Sequence, residues 1–363
     1  MSDSYRSLGK TIVCSACYGA GGLGQHFAQI VENSRQEGLL DGYYTPSTKA
    51  GDTGHGHVVF EHWSPWLFQY TPARFSAGWK SHLGGDIFDR TVAKYLQAGI
   101  KEYIGFGGQS LHSFRQARKL GAERLGLVAA NSHVKNVVGL HAQAHKQYPI
   151  EESWLNAAQV QKTLKEYDMA DIIYVASEYT RQTFLAEGFP ERKLSRVNYE
   201  TLTRYKPTTE ASREEVFRIV CTGSMTVVKG IPVLLEAFSR LGGLAELTLV
   251  GGWASRGMRH YLLGRIAQDP RIRLAPGDPL PHLQQANVCV HPSYEDGYAY
   301  APMEALACGV PVIVTEDTGM KEHVREGVNG YVVPTGSWEA VLERLQQLRQ
   351  TPLKAVAGAV ALG

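Results

Sequence analysis

The sequence has few of the features that would settle its class at once. Only five of its 363 residues are cysteine. They form no C-x-x-C pair and no Cys/His spacing of a zinc site, so neither a disulfide scaffold nor a structural metal is expected. Cys14, Cys289 and Cys308 fall in apolar segments and read as reduced, cytoplasmic thiols. No apolar run approaches the roughly 18 residues of a membrane helix, and no secretory signal opens the chain. Net charge is nearly absent too, at +2. That balance excludes the electrostatic footprint of a nucleic-acid binder. There is no low-complexity segment and no repeat between the halves. A D-x-D pair is also missing. Asp86 and Asp89 in "GGDIFDR" are one residue too far apart for one, so no catalytic metal is expected.

What remains is an ordinary globular composition, 44% hydrophobic and 20% charged. At roughly 100–200 residues per domain the length predicts two domains. Apolar strands alternate with amphipathic helices, which implies parallel βαβ units. In the first half "TIVCSA", "KEYIGFG", "RLGLVAANSH" and "DIIYVAS" read as strands. "GQHFAQIVENSRQEG", "SLHSFRQARKLG", "AQVQKTLKEYDMA" and "EYTRQTFLAEGFP" read as helices. A second series begins near residue 216, with strands "VFRIVCTGS", "AELTLVGG", "ANVCVHPS" and "VPVIVTE". Its helices are "IPVLLEAFSRL", "MRHYLLGRIAQ", "PMEALACG" and "SWEAVLERLQQLRQ". Between the series, residues 203–215 are polar and aperiodic and read as a linker. The expected fold class is therefore α/β, two Rossmann-like domains facing across a cleft, spanning residues 1–205 and 206–363.

"CYGAGGLGQHF" carries G-x-G-x-x-G at Gly19, Gly21 and Gly24. A dinucleotide site also needs an acid at the end of the next strand, about 20 residues on. The next strand candidate is "GYYTP", and Asp41 precedes it. A nicotinamide cofactor is thus disfavoured. A tight turn without ligand and an anion held by Gly21, Gly22 and Gly24 at a helix N-terminus both stay open.

The segment from His291 to Val324 is more specific. Pro302 suits the first helical position and Gly309 the stop, which puts Glu304 in the first turn of a short helix. Glu304 is the only charge from Pro302 to Cys308. It complements the helix dipole or accepts from sugar hydroxyls, while backbone N–H groups near Tyr300 and Ala301 meet phosphate. Asp296 lies eight residues earlier, followed by the sharp bend at Gly297.

These residues resemble the signature of the retaining family-4 glycosyltransferases, which have the GT-B fold. The resemblance rests on "DGYAYAPME", then "ALACGVPVIVTEDTG". "TGSMTVVKGIPVLLEAF" is similar to the family's donor-phosphate strand, loop and helix, with Lys229 on its lysine. The "GAGGLG" loop also fits, and in the family it abuts the donor from the opposite domain. The resemblance implies transfer of a sugar from a nucleoside-diphosphate donor to a hydroxyl of a glycan or lipid-linked acceptor. It needs no cofactor beyond the donor. It implies that Gly21, Gly22, Ser224, Lys229, Gly297, Tyr298, Ala299, Tyr300, Ala301 and Glu304 line the donor, with Asp296 on the sugar and Glu304 on the ribose. Lys229, Asp296 and His133 carry the catalytic roles, His133 as a polar group near the donor sugar. His112 is a weaker candidate of the same kind.

Two positions depart from the family pattern. Ser224 stands where an arginine is usual, and Asp296 where a glutamate is usual. A nucleotide-sugar-binding partner subunit without activity therefore stays open, as does a nucleotide-sugar epimerase. "HAQAHKQYP" reads as a solvated helix face or as a contact for acceptor or anionic lipid. The expected location is cytoplasmic, with peripheral contact at the inner face of the membrane left open. The closing "TPLKAVAGAVALG" is short for the family's crossover helix.

Overall fold

The computed structural model describes residues 9–49, 52, 54–59, 76–199, 204–208 and 216–353. The end of the chain and most of the expected linker lie outside the described residues. The chain divides into two compact units, residues 1–138 with 152–199, and residues 139–151 with 200–363.

The first unit is a seven-stranded sheet in the order β3-β2-β1-β4-β5-β6-β7, every pairing parallel. Its strands are β1 (Lys10–Val13), β2 (Leu40–Thr45), β3 (Gly56–Val58), β4 (Glu102–Phe106), β5 (Arg124–Ala129), β6 (Ile172–Val175) and β7 (Leu194–Arg196). Among the described residues five helices connect them and one, α4, leaves the unit: α1 (Gly21–Gln36), α2 (Ala77–Tyr95), α3 (Leu111–Lys119), α4 (Val134–Gln147), α5 (Ala157–Met169) and α6 (Glu178–Ala186). Strand order reverses between β1 and β4. In an open parallel sheet that reversal leaves a crevice at the carboxyl ends of the two strands. The glycine loop after β1 sits there, tied to the loop after β4 by the Ser15 N–H, which donates to Gln109 Oε1 at 2.5 Å. Gly24 is required by packing, since a Cβ on it would stand 2.2 Å from the Cys17 carbonyl oxygen.

A buried ion pair fixes the middle of this sheet. Glu102 on β4 faces Arg124 on β5 in register. The guanidinium donates through Nε at 2.9 Å and Nη2 at 2.6 Å, and the Tyr174 hydroxyl donates to the same carboxylate at 2.6 Å. Glu102 has no exposed surface. Such a pair is costly to desolvate, but far more costly to break from one side.

The second unit is a six-stranded parallel sheet in the order β10-β9-β8-β11-β12-β13. The strands are β8 (Phe217–Thr222), β9 (Ala245–Val250), β10 (Ile272–Ala275), β11 (Val288–His291), β12 (Val312–Thr315) and β13 (Gly330–Val333). The helices are α7 (Ile231–Arg240), α8 (Arg256–Gln268), α9 (Leu280–Gln284), α10 (Tyr300–Ala307) and α11 (Trp338–Gln350). The central β11 and β12 are buried throughout, as expected of strands in a parallel sheet covered on both faces. Leu247, Leu249, Val288, Val290 and Ile313 build the core with Val341, Leu345 and Leu348 of α11.

Residues 139–151 also belong to this unit, which the sequence did not suggest. The segment expected to be a solvated helix face is partly core. Ala144 is fully buried in the second unit's cluster and His141 is 4% exposed. Gln147 donates to the Gly336 carbonyl at 2.9 Å and accepts from the Tyr294 hydroxyl at 2.6 Å. The Tyr148 hydroxyl donates to Glu236 at 2.8 Å.

The substitution Arg124→Leu leaves the Glu102 carboxylate buried with only the phenol of Tyr174. It should cost about 3–5 kcal/mol in urea unfolding. Loss below about 1 kcal/mol would show that the pair does not hold the sheet.

Candidate functional site

The second unit's strand order reverses between β8 and β11, so its crevice lies at the carboxyl ends of those strands. Two loops meet there. The first, from Gly223 to Gly230, joins β8 to α7. Gly230 turns it with φ +69°, and a Cβ on it would lie 1.9 Å from the Pro292 carbonyl oxygen. The second, from Pro292 to Ala299, joins β11 to α10. Backbone bonds stitch the loops, with the Tyr294 N–H donating to the Val228 carbonyl at 2.8 Å.

Asp296 is the charge that joins them. Its Oδ2 pairs with the Lys229 ammonium of the first loop and lies 3.2 Å from His291 Nε2 at the end of β11. Its Oδ1 accepts from the backbone N–H of Ala299 at 3.0 Å and of Tyr298 at 3.4 Å. Burial works to raise the Asp296 pKa, but Lys229 and His291 outweigh it and hold the carboxyl well below the usual carboxylate range. Asp296 is ionised at any working pH.

The turn that closes this arrangement is strained. Ala299 has φ +65°, the only positive φ outside glycine among the described residues. It lets the chain enter α10 at Tyr300, two residues before the start expected from Pro302. Pro302 is therefore the third helical residue, where its missing N–H is one of the donors a helix start leaves unused anyway. Glu304 falls in the second turn, not the first, so helix-dipole complementation is not what holds it. It is 6% exposed. Burial pushes its pKa up to about 7, against a hydrogen bond from Tyr205 and the nearby Arg204.

The structure thus assembles Asp296, Gly297, Tyr298, Ala299, Tyr300, Ala301 and Glu304 on one loop–helix unit, with Lys229 and the exposed Ser224 on the facing loop. The rings of Tyr298 and Tyr300 meet edge to face at 5.3 Å. Sequence reasoning missed Glu151. Its Oε1 accepts from the Val227 N–H of the first loop at 2.7 Å, and its Oε2 accepts from Ser255, the cap of α8, at 2.5 Å. Lying 76 residues before Val227, it left no local signal. His291, at the end of a buried strand, was equally silent.

The remaining expected site residues lie in the first unit. Gly21 and Gly22 open α1 with nothing within 4 Å of a built Cβ. His133 is 1% exposed and ringed by Tyr167, Phe184 and Phe189 at 5.0–5.6 Å. Its Nδ1 accepts from the Lys135 N–H at 3.4 Å at the head of α4, and burial takes its pKa down to about 4. His112 lies 3.1 Å from Asp86. Despite their spacing, Asp86 and Asp89 do converge with His112, closely enough for a metal ion. The Lys162 ammonium stands between the two aspartates at 2.9 and 2.8 Å. A cation of the chain's own thus compensates that cluster. Asp89 is further used by the N–H groups of His112 and Ser113, at 2.9 and 2.8 Å, at the start of α3.

With this geometry in hand, the second unit can be set beside known proteins. A family model described as glycosyl transferases group 1 matches residues 216–351. The capsular polysaccharide biosynthesis glycosyltransferase CapM of Staphylococcus aureus is 29% identical over 140 residues, 36% of each chain. The chain spans about a third of the length of the curated relatives it matches. Among solved structures, sucrose-phosphate synthase from Thermosynechococcus elongatus superposes with a TM-score of 0.75 at 18% identity, covering 97% of this chain and 92% of that one. Anabaena HepE in complex with UDP-glucose follows with a TM-score of 0.66 at 14% identity over 97% and 93%. The fold is therefore the α/β fold of two parallel sheets found in GT-B glycosyltransferases.

Left-handed backbone at a non-glycine residue costs about 1–3 kcal/mol, partly offset in a glycine variant by its looser unfolded chain. Ala299→Gly should therefore stabilise the protein by up to about 1 kcal/mol, whereas Ala299→Val should destabilise it by about 1–3 kcal/mol. Denaturant unfolding of both variants checks this, and a glycine variant less stable than wild type would refute the strain.

Proposed function

We propose that the protein is a retaining, metal-independent glycosyltransferase. It moves a sugar from a nucleoside-diphosphate sugar to a hydroxyl of a glycan or lipid-linked acceptor. The observation that carries this reading is the Lys229–Asp296 pair beside the start of α10, with Glu304 one turn on. The group 1 family match over residues 216–351 and the capsular polysaccharide relative support it.

In the proposed reaction the bond between the anomeric carbon and the diphosphate oxygen breaks. Its electron pair leaves with the diphosphate. The acceptor oxygen bonds to the anomeric carbon from the same face, and its proton passes to the departing phosphate. Negative charge grows on the diphosphate, so fixed positive charge there is the main lever on the rate. Lys229 supplies a full charge, and the N-terminal end of α10 supplies partial charge. Asp296 accepts from sugar hydroxyls and keeps Lys229 in place until the diphosphate competes for it. Glu304 accepts from the ribose hydroxyls. No cofactor besides the donor takes part. The proposed location is the cytoplasm, with peripheral contact at the inner face of the membrane left open. No described helix is long and apolar enough to cross a membrane.

Ser224, exposed and uncharged on the first loop, favours a second reading as a binding subunit without turnover. Three measurements separate the two. A nucleoside diphosphate at a hundredfold over its Kd should stabilise the protein by about 2.7 kcal/mol. UDP, GDP and ADP are the probes, and a shift with NAD alone would end the transferase reading. Release of nucleoside diphosphate from a donor panel, with membrane lipid extract as acceptor source, should survive EDTA. Loss in EDTA with recovery in Mn²⁺ would refute metal independence. Lys229→Ala should lower kcat by about 10²–10³, since Ser224 offers no second charge. Tight binding with no turnover of any donor would favour the binding subunit.

A further inference from the structure

The segment before β8 reaches into the site through two residues. Tyr205 is 5% exposed and Glu304 6%. The Tyr205 hydroxyl donates to the Glu304 carboxylate and accepts from Arg204 Nη2 at 2.8 Å. Arg204 is itself held from two sides. Its Nη1 donates to Asp278 Oδ2 at 2.9 Å, and its guanidinium lies 4.7 Å from the centre of the Tyr205 ring. Gln284 of α9 donates to the Lys206 carbonyl at 3.0 Å and anchors the next residue.

We propose that Arg204 and Tyr205 are positioning residues of the nucleotide site. Polarised by Arg204, the phenol donates to one side of the Glu304 carboxylate and leaves its remaining lone pairs turned to the ribose diol. This rests on the reading of Glu304 as the ribose acid.

The geometry gives the contact that role for a chemical reason. A carboxylate offers about four acceptor positions, and one phenol uses one of them. Two ribose hydroxyls can then be accepted without displacing Tyr205. They bind only to the ionised form, because a protonated carboxyl turns one oxygen into a donor. Burial opposes that form. The groups around Glu304 are Tyr205, Arg204, Asp278, Cys289 of β11 and Cys308 just after α10. Among them only Tyr205 and Arg204 favour the charge, while Asp278 acts against it. Nothing else in that set can keep a buried acid usable near neutral pH.

The test is the pH profile of UDP, GDP or ADP affinity for wild type, Tyr205→Phe, Arg204→Gln and Glu304→Gln. Affinity of wild type should rise as pH climbs through about 7, where Glu304 ionises. Removing the phenol's hydrogen should move that midpoint up by about one pH unit. The Kd of Tyr205→Phe should then exceed that of wild type about tenfold at pH 6.5 but less than about twofold at pH 9. The nucleotide's own titration cancels in this ratio. A purely structural loss would weaken binding equally at both pH values. Arg204→Gln keeps the phenol and should shift the midpoint the same way by less. Should Tyr205→Phe fold poorly, that variant carries the test. Profiles of both that coincide with wild type, or a pH-independent loss, overturn the proposal and leave the ribose role of Glu304 standing. A Glu304→Gln variant with wild-type affinity and profile overturns that role, and the proposal with it.

Discussion

The Asp296 carboxylate is the constraint on which the second unit's site depends. One oxygen takes the cation of the loop after β8, and the other takes the backbone of the loop that carries it. A part-buried carboxylate is stabilised by partners that compensate its charge. Drawing those partners from two loops at once fixes the loops' separation. It also imposes the bend at Ala299, because the N–H groups of Tyr298 and Ala299 can both aim at Oδ1 only if the chain doubles back. The left-handed residue and the early start of α10 follow from that one requirement.

Topology supplies the two loops. In a parallel sheet, loops at the carboxyl ends of adjacent strands diverge onto opposite faces wherever strand order reverses. Among the described strands of this unit only β8 and β11 open such a gap, and both charged loops start there. The first unit obeys the same rule at β1 and β4, where its glycine loop stands. Glu151 then braces the first loop from outside the local sequence, through the Val227 N–H and the cap of α8.

Much of this was legible in the sequence because it is local. Apolar runs broken by Gly and Pro placed β8, α7, β9, β11 and β12, and the motif from Asp296 to Glu304 placed the site. What escaped was set by distance along the chain or by backbone geometry. Residues 139–151 look like any amphipathic helix end, and only the structure shows Ala144 in the second unit's core. Asp86 and Asp89 were set aside on spacing, yet one helical turn brings them together, with Lys162 from α5 between them. The start of α10 was misjudged by two residues because Pro302 is a helix-start signal that tolerates the third position as well as the first. A positive φ at an alanine has no signal in composition at all.

The two acids of the motif, eight residues apart, are driven to opposite ends of the carboxylate range. Asp296 meets Lys229 and His291 and stays charged. Glu304 meets a phenol, an indirect guanidinium and apolar walls, and titrates near neutrality. Pairs of groups whose surroundings push their pKa values apart have been given different work. A permanently charged Asp296 suits a group that must hold a cation and answer to hydroxyls under every condition. A marginally charged Glu304 suits a contact whose strength depends on what surrounds it, and its surroundings come from the segment before β8. In the proposed reading, control of the ribose end of the site therefore lies outside the motif that announces it.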